Sequence, residues 1–134
     1  MAELIVIKIV GAAILSTILG FVWFHPRAFG AIWMRHARIT PEMAERGKRR
    51  VHLYALAGFI GNAIAAYVLF YLLAAFQISL RETAITLALL VWVGFTAPSL
   101  LGMMLWEQKP LSYYSINALY WLVSLVIMAM ILVL

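Results

Sequence analysis

Two imidazoles able to exchange protons near neutral pH, His25 and His52, and a carboxylate, Glu107, that could join them in ligating a metal stand where apolar runs begin or end. His25 closes the first run, His52 opens the second and Glu107 follows the third. Tyr113 and Tyr114 open the fourth run, and Arg27 is close to His25. Imidazole and carboxylate suit zinc, copper or iron, and helices converging at one depth would bring the three within ligand reach. Their spacing matches no metal motif, and a plainer pattern fits the same residues, in which Glu107 pairs with Arg27 or Lys109 and the imidazoles bond to backbone or headgroups. For acid and base work on a lipophilic substrate, a nucleophile is missing. Ser99 and Ser115 have no neighbouring base in sequence, and there is no GxSxG, HExxH or phosphate loop. An enzyme or metal site on His25, His52 and Glu107 is therefore the second reading, and neither a metal nor another cofactor is expected.

The elements that must position these groups follow from composition. The chain has 134 residues, 66% of them hydrophobic and 11% charged, whereas soluble domains are about 45–50% apolar and about 25% charged. That is a membrane protein. Four apolar runs, at about 4–24, 51–76, 83–105 and 111–134, each reach the length of about 20 residues that a bilayer span needs. The expected fold is all-α, a single integral membrane domain over 1–134 built as a four-transmembrane-helix bundle. With no cysteine, disulfides and thiolate chemistry are excluded. A net charge of +5 does not imply nucleic acid, because no basic groove interleaved with aromatic stackers occurs.

The charges fix an expected orientation. Arg27, Arg35, Arg38, Arg46, Lys48, Arg49, Arg50 and Lys109 fall in the first and third connections, against Lys8 and Arg81 on the other side. By the positive-inside rule the connection 25–50 is cytoplasmic and both termini face outward, to the periplasm or cell exterior. Within that connection Phe29, Ile32 and Trp33 share one helical face, the pattern of a cytoplasmic interfacial helix after the first span. Thr40-Pro41-Glu42 reads as an N-cap, a first-turn proline and a dipole-compensating acid. The helix that starts there would run through Gly47 into the second span, placing Lys48, Arg49 and Arg50 at the lipid headgroups.

Within the bilayer, packing must come from small residues and buried polar groups. Stripes at four-residue spacing, Ala12-Ser16-Gly20, Ala57-Gly61-Ala65 and Gly94-Pro98-Gly102, read as contact seams. Tyr113, Asn117, Tyr120 and Ser124 share one face of the fourth helix. Asn62 and Asn117 read as interhelical hydrogen-bond donors, or alternatively as the lining of a polar cavity with Tyr113 and Tyr120. Pro98 removes a backbone bond to Gly94, which predicts a kink in the third span. Trp23, Trp33, Trp106 and Trp121 read as interface anchors, while Trp92 falls near mid-span. No Asp, Glu, Lys, Arg or His lies within 9–24, 53–76, 83–105 or 111–134, which argues against an ion-coupled pump.

The segment Gly20-Phe21-Val22-Trp23-Phe24-His25-Pro26-Arg27-Ala28-Phe29-Gly30-Ala31-Ile32-Trp33-Met34 resembles a signature, Gly-x-x-Trp-Tyr-x-Pro-x-x-Phe-Gly-x-x-Trp-Met. That signature belongs to the bacterial integral-membrane family catalogued as domain of unknown function seventeen sixty-one. Trp92-Val93-Gly94-Phe95, Trp106-Glu107-Gln108-Lys109-Pro110 and Ile116-Asn117-Ala118-Leu119-Tyr120 are similar to its later blocks, so the resemblance covers nearly the whole chain. It implies four transmembrane helices and supplies no reaction or substrate. Phe24 departs from the family's usual tyrosine. Physically, the first block is an elbow: a helix end, a His-Pro break and a segment folded back along the membrane surface, with Gly30 allowing a close approach.

The first reading is accordingly a small, non-catalytic, self-associating integral membrane protein. It would bind or pass a neutral or lipophilic small molecule, or act as an assembly element. Trp23, Arg27, Asn62, Tyr113, Asn117 and Tyr120 are its candidate ligand-binding residues, Lys48, Arg49 and Arg50 its lipid contacts, and membrane lipids and a second copy its expected partners.

Overall fold

A computed structural model describes residues 1–134. It is helical, without strands, and four helical stretches are long and apolar enough to cross a membrane: Ala2–Ala37, Val51–Ala75, Arg81–Leu105 and Leu111–Leu132. The chain is an integral membrane protein of the four-helix class. Helix α1 (Ala2–Trp23) ends where Pro26 holds His25 in extended backbone, φ −66° and ψ 141°. A π-helical turn over Pro26–Gly30 follows, distorted at Ala28, and leads into α2 (Ala31–Ala37). The turn fits only because residue 30 is glycine: a Cβ there would collide with the Phe24 carbonyl. The close approach expected of the elbow is therefore a backbone contact.

Helix α3 (Pro41–Arg49) starts as its sequence indicates, with the Thr40 hydroxyl accepting from the Met43 N–H at 3.2 Å and Pro41 in the first turn. It does not run on into α4 (Val51–Ala75). Arg50, at φ −112° and ψ 14°, breaks the helix between them, a correction to the unbroken helix expected through Gly47. The third span begins as α5 (Arg81–Val91) and continues as a π-helical turn over Trp92–Thr96, then as the short α6 (Ala97–Leu100) and α7 (Gly102–Leu105). The irregularity thus starts a turn ahead of Pro98. The Ala97 N–H reaches the Trp92 carbonyl, and the Ser99 hydroxyl donates to the Phe95 carbonyl.

Helix α8 (Leu111–Leu132) is the middle of the bundle, packed against α1, α4 and α5. Toward its C-terminal end it buries Leu125, Met128, Ala129 and Leu132. They meet Ala12 from α1, Ala66, Leu69 and Leu73 from α4, and Ala84 and Ala88 from α5. Alanines at these contacts let backbones approach closely, which is what holds helices together when lipid supplies no hydrophobic drive. All these residues lie in the half of the bundle remote from the connection 25–50. The packed core is one-sided.

Of the three small-residue stripes, only the first is a seam. Ala12 and Ser16 are fully buried, and a Cβ at Gly20 would stand 3.3 Å from the Tyr120 hydroxyl. Ala57 and Gly61 are exposed, as are Gly94 and Pro98, and nothing lies within 4 Å of a Cβ built on Gly61 or Gly94. Helix α4 instead buries Asn62, Ala66, Leu69 and Leu73, one residue further round.

Candidate functional site

In the half nearer the connection 25–50 the helices part, and a groove of about 450 Å³ opens between α1 and α4. One wall is the α4 face Val51, Tyr54, Ala55, Gly58 and Asn62, a helical three-and-four spacing. The other is Thr17, Gly20, Phe21 and Phe24 of α1, with Trp33 of α2 at one end and Tyr120 of α8 behind. At about 1.5 Å per residue, the eleven steps from Val51 to Asn62 give a groove roughly 16 Å long. Gly58 leaves it open, since a Cβ there meets nothing within 4 Å.

The deep end is polar. Asn62 is 4% exposed, and its Nδ2 donates to the Thr17 Oγ1 at 3.1 Å, while that hydroxyl donates to the Ala13 carbonyl at 2.8 Å. No protein group donates to the Asn62 carbonyl oxygen, so a free acceptor remains at mid-span. The Tyr120 hydroxyl is committed to the Ser16 carbonyl at 3.0 Å. The remainder of the wall is aromatic: Phe24 lies 5.5 Å from the Trp33 ring and 5.4 Å from Tyr120. Phe24 serves there as an apolar ring.

A second hollow of about 460 Å³ continues beyond Trp33 and Tyr54, which border both. Its walls are Met34, Ile39, Met43 and Gly47 of α2, α3 and the link between them, with the basic side chains Arg46 and Lys48 at its edge. The sole ion pair of the molecule joins Lys48 to Glu45 at 3.5 Å, with both side chains largely exposed. Such a pair contributes little.

Of the expected ligand-binding residues, the groove collects Asn62 and Tyr120. Trp23 is elsewhere: its indole N–H donates to the Ile116 carbonyl of α8 at 2.9 Å and its ring packs on Phe29 at 4.7 Å. Trp92 donates likewise to the Ala118 carbonyl at 2.7 Å, so these two indoles tie helices together. Arg27 borders a shallower hollow with His25, whose Nδ1 accepts from the Arg27 N–H at 3.1 Å. Tyr113 carries the Lys109 ammonium over its ring at 5.6 Å. Asn117 is a correction to the interhelical donor expected: its Nδ2 bonds to the Tyr113 carbonyl of its own helix at 2.9 Å. Of the three lipid-contact residues, Lys48 edges the second hollow while Arg49 and Arg50 do not.

His25, His52 and Glu107 are all exposed, and none lines the groove. Nowhere do three His, Asp or Glu side chains gather in a group able to hold a metal ion. Glu107 pairs with neither Arg27 nor Lys109, because the Lys109 ammonium reaches across instead to the His36 carbonyl at 2.7 Å. Reading the sequence for chemistry missed Thr17, Trp33, Tyr54, Gly58 and Arg46. Tyr54, Gly58 and Asn62 do share one helical face, and that was the available signal.

The family described as "Protein of unknown function (DUF1761)" matches residues 7–133. No curated protein and no solved structure matches the chain.

Proposed function

The chain belongs to that family, and from this premise we propose that it binds a neutral or lipophilic small molecule in the groove between α1 and α4. The observation that carries the reading is the free Asn62 carbonyl at the floor of an otherwise apolar and aromatic groove. Sites for small molecules are of this kind, mostly apolar with a few placed polar groups. The groove contains no carboxylate, imidazole, ammonium or guanidinium, which supports binding over acid and base chemistry. It also stops at the packed core around Met128 and Leu125, which supports lateral entry from the bilayer over passage through the bundle.

The basic connections support an orientation with 25–50 in the cytoplasm and both termini outside, in a bacterial inner membrane. On that orientation the groove opens to the inner leaflet. The outward Ala57 and Gly61, on the flank of α4 beside the groove, favour self-association along that flank, which Gly61→Ile would weaken in sedimentation experiments in detergent.

The binding reading is tested with the full chain in nonionic detergent and an uncharged lipophilic fluorophore. Gly58→Leu fills the groove and abolishes saturable binding, while Gly11→Leu, on α1 beyond the groove and with equally open space at its Cβ, retains it. Equal binding by both variants would overturn the proposal.

A further inference from the structure

The groove has a length, a polarity gradient and a continuation that together specify a class of ligand. Its roughly 16 Å, reckoned at 1.5 Å per residue, matches half of a hydrocarbon core about 30 Å thick, which is the depth of one leaflet. It runs from mid-span at Asn62 to the helix ends at Val51, parallel to α4. At that end it joins the second hollow through the shared side chains Trp33 and Tyr54, and the edge of the second hollow is basic. Apolar and chain-length below, cationic above, the two hollows form one amphiphilic trough.

We infer that this trough is a site for one anionic phospholipid, with an acyl chain along α1 and α4 and the phosphate at the edge of the second hollow that Arg46 and Lys48 make basic. The inference rests on the groove being a ligand site, as proposed above. Arg46 supplies a planar guanidinium able to hold two phosphate oxygens at once, and Lys48 supplies a point charge. Trp33 and Tyr54 stand where aromatic residues meet the headgroup level. Met34 and Met43 give the hollow an adaptable apolar floor for the glycerol region. The ligand is a membrane lipid and not a free anion, because the cations alone are exposed and solvated, and only the adjoining groove supplies apolar burial. Glu45, 3.5 Å from the Lys48 ammonium, competes with the phosphate, so selectivity for anionic lipid is moderated by this chain's own carboxylate.

The test uses the full chain released from nanodiscs containing equal parts phosphatidylglycerol and phosphatidylcholine with identical acyl chains, and native mass spectrometry counts the lipid retained. The wild-type chain keeps one lipid, with phosphatidylglycerol in excess. Arg46→Gln with Lys48→Gln lowers that excess by roughly tenfold while a lipid is still retained, and Glu45→Gln raises it. Arg35→Gln with Arg38→Gln removes the same charge elsewhere in the connection and leaves the excess unchanged. If the Arg46/Lys48 pair leaves the ratio intact, or the Arg35/Arg38 pair lowers it equally, the headgroup assignment fails. Gly58→Leu separates the two levels, because it releases both lipids. Lipid retained by Gly58→Leu would sink the groove reading itself, as would a wild-type chain that retains none.

Discussion

The indole nitrogen of Trp92 donates to the carbonyl of Ala118 at 2.7 Å, joining the π-helical turn of the third span to the middle of α8. Two residues earlier on α8, the Ile116 carbonyl receives the Trp23 indole from α1 at 2.9 Å. Both carbonyls belong to a helix, so each indole uses a lone pair that the helical ladder leaves available. In a bilayer such bonds contribute directly to helix association. Trp92→Phe and Trp23→Phe each lower stability by about 1 kcal/mol. Reversible unfolding in mixed micelles reads the loss, and a variant as stable as the wild type would show that the bond contributes nothing.

Gly30→Ala is the most damaging single methyl in the elbow. The added carbon meets the Phe24 carbonyl, a backbone atom that cannot rotate away. Relief requires the π-helical turn to open, at about 1–3 kcal/mol. Limited proteolysis would detect faster cleavage within 25–50, whereas Gly47→Ala, where an added Cβ meets nothing within 4 Å, leaves the cleavage rate unchanged.

Thr40→Ala removes the acceptor for the Met43 N–H and frays the start of α3 by about 1 kcal/mol. Hydrogen exchange at Met43 and Ala44 accelerates accordingly. Thr40→Ser restores protection, and an exchange rate indifferent to all three residues would mean that the cap is not formed.

Topology has its own measurement. A reporter fused after Leu134 is active outside the cytoplasm, while one inserted at Arg38 is active inside. Replacing Lys48, Arg49 and Arg50 by glutamine weakens the bias and yields a mixed population. A cytoplasmic signal from the Leu134 fusion would reverse the orientation proposed for the groove.

Element boundaries were legible because prolines and caps act locally. Pro26 stops α1, Thr40-Pro41 starts α3, and Pro110 precedes α8. Helix faces were harder, because a span apolar all round has no amphipathic period to show which side is covered. On α4 the stripe Ala57-Gly61-Ala65 and the buried set Asn62, Ala66, Leu69 and Leu73 differ by one step, about 100° of rotation. In the third span, the π-helical turn at Trp92–Thr96 adds a residue to the repeat and turns Gly94 and Pro98 outward. Asn62 announced itself by polarity in an apolar run. Its companions Thr17, Trp33 and Tyr120 did not, since the groove joins segments that only the fold brings together.

The central place of α8 also sets a timetable. It is translated after the three helices that it joins, so Trp23, Trp92 and Ser16 each wait for a partner that does not yet exist when they enter the bilayer. The Asn62–Thr17 bond needs no such wait, because both helices are already made. An α1–α4 hairpin can therefore form during synthesis, and the arrival of Leu111–Leu132 converts it and a loosely held third helix into one body.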